Sequence, residues 1–93
     1  MMHDWVLLTL MVDWMNSMVT ITFRDSQSQE VFLIAEGLSD FRVPKREEWG
    51  GSVLVNEVEG PKTLQNGNLY FSIEMQSGDK IELEARSVSL PES

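Results

Sequence analysis

The chain has no cysteine. That excludes disulfide bracing, Cys-type zinc sites and a cysteine nucleophile. It has one histidine, so a site built on several imidazoles is excluded too. Three prolines and six glycines are too few for a disordered or collagen-like chain. Basic residues are also scarce, seven against fifteen acidic ones, for a formal net charge of −8. A phosphate backbone repels such a chain, and so does an anionic lipid surface. Neither nucleic acid nor a membrane is an expected partner. No apolar run approaches the roughly 20 residues of a membrane span. Trp5 to Val12 is mostly apolar, but Asp4 and Asp13 flank it and no Lys or Arg precedes Arg24. A secretory signal has a basic start and a small-residue cleavage site. Neither is present, so a cytoplasmic protein is expected.

What remains is an ordinary globular composition: 93 residues, 42% hydrophobic and 24% charged. A chain of this length fits one core. The expected layout is a single β-rich domain over residues 1–86, with a flexible tail over 87–93.

The dominant hydrophobic period is two, the period of a strand. Leu69, Phe71, Ile73 and Met75 alternate with Tyr70, Ser72, Glu74 and Gln76. Ile81, Leu83 and Ala85 then alternate with Lys80, Glu82, Glu84 and Arg86. A three-residue loop of Gln76, Ser77 and Gly78 pairs Ile73 with Ile81, Phe71 with Leu83 and Leu69 with Ala85. Each pair is apolar with apolar, as facing residues of a hairpin should be. Gly78 takes the left-handed position that such a loop needs.

Asn66-Gly67 signals a second hairpin with a two-residue turn. It pairs Gln65 with Asn68 and Leu64 with Leu69, and Pro61 keeps the preceding strand short. A third hairpin joins residues 6–14 to Val19, Ile21 and Phe23. A two-residue turn at Asn16-Ser17 pairs Trp14 with Val19, Val12 with Ile21 and Leu10 with Phe23. The first of these strands is apolar on both faces. A helix over residues 4–15, capped by Asp4, competes for it. The strand is preferred because the Thr-rich segment that follows needs a partner. Glu30 to Ala35 is likewise apolar on both sides, and a short strand is expected over Ser52 to Val58. A doubly apolar strand is either central in a covered sheet or part of an interface.

Three constellations might carry chemistry. His3-Asp4 pairs an imidazole with a carboxylate, but no second histidine supports a metal site or a triad. Asn56-Glu57-Val58-Glu59 sets two carboxylates at strand spacing, which usually just face water, as do Glu74, Glu82 and Glu84. The stretch from Arg42 to Gly51 holds three of the seven basic residues beside a proline and a tryptophan. Arg and Trp are enriched at binding hot spots, and loops carry contacts. Arg42, Lys45, Arg46 and Trp49 are therefore the candidate binding residues. No P-loop, nucleophile elbow or dinucleotide fingerprint is present. No catalytic residue, metal ligand or cofactor is assigned.

Three strings carry a resemblance. They are His3-Asp4-Trp5 with Asp13-Trp14, then Val43 to Gly50 with Asn56-Glu57-Val58, then Glu74 to Asp79. Together they resemble a group of small bacterial single-domain proteins of unknown function. There is a more distant likeness to small β-rich immunity proteins that begin with a His-Asp pair. The resemblance implies a bacterial source and supplies no catalytic residue.

The expected fold is all-β: antiparallel hairpins forming a small sandwich or a partly open barrel of six or seven strands. The alternative is an α+β fold with an N-terminal helix. The expected function is a non-enzymatic interaction module that is immunity-like or self-associating, with a protein partner or a second copy of itself. The alternative is a small-ligand or metal-binding β domain, or a hydrolase-like enzyme, using His3 and nearby carboxylates.

Overall fold

Six strands follow one another: β1 (Val6–Asp13), β2 (Met18–Arg24), β3 (Glu30–Arg42), β4 (Val55–Thr63), β5 (Leu69–Met75) and β6 (Lys80–Ser89). The computed structural model describes residues 2–45 and 53–91. Among these residues there is no helix, so the fold is all-β. The strands form one antiparallel sheet in the order β1-β2-β3-β6-β5-β4. Residues 4–15 do not form the competing helix, since Val6 to Asp13 are ladder-bonded to β2.

The β5–β6 hairpin has the register that parity predicts. Ile73 faces Ile81, Phe71 faces Leu83 and Leu69 faces Ala85. Met75 N–H donates to Asp79 O at 2.8 Å, and Gly78 has φ 96°.

Two other turns differ from expectation. The β1–β2 turn spans four residues, Trp14 to Ser17, so Val12 faces Val19 and Leu10 faces Ile21. The Asp13 carboxylate accepts from Asn16 N–H at 3.2 Å and from Asn16 Nδ2 at 2.8 Å, which holds the wider turn. A shift of two residues keeps the face parity, so pattern alone could not exclude it. At Asn66-Gly67 the loop has three residues. Leu64 N–H donates to Asn68 O, and Thr63, not Leu64, faces Leu69. A two-residue type I′ turn needs positive φ at both centres. Here Gly67 has it and Asn66 does not. Asn66 instead accepts from Asn68 N–H through its side chain at 2.9 Å.

Three strands are longer than their patterns suggested. β3 runs on to Arg42 through Gly37, pairing first with β2 and then with β6. β4 passes through Gly60-Pro61 as an irregularity between Glu59 and Lys62 instead of stopping there. β6 continues to Ser89, three residues into the segment assigned to the tail, with Ser87, Val88 and Ser89 opposite Glu36, Ala35 and Ile34.

A single sheet has no second layer to cover it, so it buries a core by curling. Bulges bend strands, and they occur at Leu7/Thr9 in β1, Leu38/Asp40 in β3, and twice in β4. The concave side holds Val19, Ile21, Phe23, Leu33, Phe71, Ile73 and Leu83, all buried. Trp5 closes one end and meets the Phe23 ring with centroids 6.0 Å apart. Burying each such side chain stabilises the fold by roughly 1.5–3 kcal/mol. Among the described residues the two ends of the sheet approach at the Val6–Leu54 bridge, and the described strands do not close into a barrel.

Candidate functional site

β1 and β4 are the edges of the sheet, and they are built differently. β4 carries Glu57, Glu59 and Lys62, a kink at Gly60-Pro61, and Pro61 itself, which has no N–H. Charge, proline and irregularity are the devices that stop an edge from recruiting another strand. β1 has the bulge after Leu7 and one charge, at its last residue Asp13, but no proline, and from Trp5 to Val12 no residue is ionisable.

The open backbone groups of β1 follow from ladder alternation. Asp25 N–H donates to Gln29 O at 2.9 Å in the β2–β3 turn. Val19, Ile21 and Phe23 therefore bond β3, while Met18 and Thr20 bond β1. Their partners on β1 are Asp13 and Met11. Leu10 and Val12 lie between these and point their N–H and C=O groups away from β2. Near Trp5 the same side of β1 is occupied. Leu7 N–H donates to Val53 O at 2.7 Å, and Val55 N–H donates to Trp5 O at 2.8 Å. From Leu8 onward no described strand pairs with this edge, and Val43, Pro44 and Lys45 line a pocket beside Leu8 and Leu10.

Apolar side chains frame it. Met11 is 67% exposed, Trp14 89% and Met15 92%; Phe32, on the same convex face as Met11, is 51% exposed. Met11, Thr20 and Ile34 form one row across β1, β2 and β3, and Thr9, Thr22 and Phe32 form the next. This is the uncovered second face that the doubly apolar strands announced. The bulge after Leu7 sorts the two sides of β1. Leu7 faces Phe23, and beyond the bulge Leu10 packs against the core while Val12, on the same side, stays 47% exposed, not an unbroken row from Val6 to Trp14.

Beside the same edge is a pocket of about 280 Å³ lined by Leu7, Leu8, Leu10, Val53, Met75 and Ile81, with Lys45 and Asp79 supplying charge. Ser77 Oγ donates to Asp79 Oδ2 at 3.3 Å. Pockets for drug-sized ligands usually span about 300–1,000 Å³. This one suits a single large side chain.

The sequence-predicted binding residues are only partly placed. Arg42 ends β3, exposed, with Nε 3.1 Å from Asp40 Oδ2. Lys45 lines the pocket. Arg46 and Trp49 lie outside the described residues. The Trp14 and Met15 tip was not singled out as a site. Its signal was the length of the apolar run before Asn16, which exceeds what one buried face needs.

His3 pins the N-terminal segment. Its Nδ1 is 2.7 Å from the Asn56 carbonyl oxygen, a contact that needs a proton on Nδ1. Nε2 is 3.5 Å from Asp4 Oδ1. Gln76 Nε2 also donates to that Asp4 oxygen. Among the described residues no group of three or more His, Asp or Glu is placed to hold a metal ion. No described helix is long and apolar enough to cross a membrane.

Two carboxylates are held below their ordinary ionisation range. For Glu84 the main cause is the Asn68 side-chain amide at 2.9 Å, followed by Asn66 and Ser39. For Asp13 it is the Asn16 side chain, then Asn16 and Met15 backbone. Both carboxylates fasten turns.

No protein-family model matches the chain, and no curated protein or solved structure matches it significantly.

Proposed function

We propose that the protein is a non-enzymatic interaction module that takes an extended strand of a protein partner along the open edge of β1. The observation that carries this reading is the asymmetry of the two edges. β4 is blunted, whereas the N–H and C=O groups of Leu10 and Val12 on β1 meet no described strand and lie between exposed apolar side chains. Strand addition draws affinity from main-chain bonds and specificity from alternate side chains. An immunity-like role fits this geometry, because the acidic body would steer a basic partner toward a neutral edge.

A synthetic peptide with the sequence of residues 8–16 is the probe. Titrated against the labelled protein, it should shift the amide signals of Leu10 and Val12 first. Val12→Pro removes one outward N–H without touching a bond to β2. It should weaken the peptide at least about tenfold and leave the fold intact. Shifts confined to another surface, or unchanged affinity in Val12→Pro, would contradict the reading.

The pocket beside Leu8 supports a second reading, a β domain that holds a small apolar ligand. An apolar dye that binds there and survives Val12→Pro would favour it.

A further inference from the structure

We propose that the groove between the β1–β2 turn and the second half of β3 takes an arginine side chain of a basic protein partner. The inference does not depend on a strand adding to β1, and it uses a different part of the surface. The groove has a volume of about 470 Å³ and shares no lining residue with the pocket beside Leu8. Lys45 and Val53, which flank residues 46–52, line that pocket and not this groove.

The backbone makes the groove. β3 pairs with β2 as far as Glu36, and from Leu38 onward it pairs with β6 alone. The change of course comes at Gly37, which has φ 66°. Leu38 N–H donates to Ser17 O at 2.8 Å, and this bond ties the two walls together at their root. A bulge at Leu38/Asp40 then sets Leu38 opposite Ala85 and Phe41 opposite Leu83. Ala85 and Leu83 are core residues, so Leu38 and Phe41 share their face despite an odd spacing in sequence. Both are partly buried. The other wall carries Val12 and Trp14, which are 47% and 89% exposed.

Charge narrows what such a groove takes. Two carboxylates line it, Asp13 and Asp40, and no basic side chain does. Asp13 accepts two bonds from Asn16, which hold its carboxylate in place and ionised. Asp40 Oδ2 meets Arg42 Nε at 3.1 Å, but the pair is exposed and such pairs hold weakly. The net charge of −8 draws cations toward the whole surface.

The aromatic and apolar walls narrow it further. A carboxylate alone takes any cation. A guanidinium is planar and weakly hydrated, stacks on aromatic faces and forks onto a carboxylate. Trp14 and Phe41 supply the faces, Asp13 and Asp40 the charge, and Val12 and Leu38 the apolar contact for the stem. Arg42 acquires a role here too. It is the cation that the chain itself sets on Asp40, so an incoming arginine competes with it.

N-acetyl-arginine methylamide is the probe. Its citrulline counterpart, of nearly the same shape but uncharged, is the control. Titrated against the labelled protein, the arginine compound should shift the Trp14 indole N–H and the amides of Ser17, Leu38 and Phe41. The citrulline compound should bind at least about threefold more weakly. Trp14→Ala and Asp40→Asn, both at exposed side chains, should each weaken the arginine compound about threefold. Arg42→Gln should tighten it, a response that a merely structural role for Arg42 would not give. Added salt should weaken it. Absence of shifts at the groove overturns the proposal. So does equal binding of the citrulline compound, which would mark a neutral groove, or a stronger response to glucose, which would mark a sugar site. Shifts confined to Leu10 and Val12 would put the cation at the β1 edge and overturn it as well. The residue 8–16 peptide is read at Leu10 and Val12, so failure at the groove and failure at the edge are told apart.

Discussion

Val6 and Leu54 face each other in the one described bridge between the two ends of the sheet. Behind that bridge Trp5 and Val55 are buried; beyond it, from Leu8 to Asp13, no described strand pairs with the outer side of β1. The bridge divides β1 into a structural half and an exposed half, and the two should answer differently to substitution.

In the structural half, Phe23 lies opposite Leu7, fully buried and against Trp5. Phe23→Ala should cost about 3–5 kcal/mol by the loss of packing and the cavity left behind. Met11→Thr, on the exposed half, should stay within about 0.5 kcal/mol when measured on dilute protein. Chemical denaturation followed by tryptophan fluorescence compares them. Equal losses would mean that the convex face of β1 is packed after all.

The glycines separate strain from collision. Gly37 and Gly78 both have positive φ, at 66° and 96°. A Cβ on Gly37 would lie 2.6 Å from Arg86 Cβ, whereas one on Gly78 meets nothing within 4 Å. Gly78→Ala should cost about 1 kcal/mol of backbone strain. Gly37→Ala should cost more, about 2–3 kcal/mol, because the β3–β6 spacing must also open. Denaturant midpoints test the order, and a smaller loss at Gly37 would contradict it.

Glu84 predicts a pH effect of definite sign. Its carboxylate is held below the ordinary 4.5 chiefly by the Asn68 amide. A carboxyl with a depressed folded-state value stabilises the fold above its unfolded value, and loses that contribution as pH falls through the folded value. Stability should therefore decline below about pH 4.5, and Glu84→Gln should flatten part of that decline. Thermal melts from neutral to acid pH compare the two proteins. Superimposable curves would remove Glu84 from the account.

The sequence made some of this legible and hid the rest for identifiable reasons. The β5–β6 hairpin was readable residue by residue because Gly78 and the Leu69–Met75 alternation agree on one register. The β1–β2 register was not, because the Asp13–Asn16 bonds widen the turn by two residues and leave every face unchanged. Nor was β4 as a continuous strand, since Gly60-Pro61 signals a break and an edge strand tolerates one as a kink. The tail was drawn too early because Ser87 and Ser89 are polar on a strand end that still pairs with Glu36 and Ile34. The apolar surplus of β1 was visible in composition. Its meaning needed the strand order, which puts that surplus on an edge. Of the Arg and Trp stretch, the described residues place Arg42 beside Asp40 and Lys45 at the pocket.

The most direct measurement is amide hydrogen exchange at Leu10 and Val12 as a function of the concentration of the residue 8–16 peptide. Met11 and Asp13, bonded to β2, should be protected throughout. Leu10 and Val12 should exchange quickly in the free protein and become protected as the peptide concentration rises. Fast exchange at every concentration would show that nothing adds to this edge. Protection independent of concentration in a monomer would show that the chain covers it by itself. Either result would contradict a β1 edge that receives an added strand.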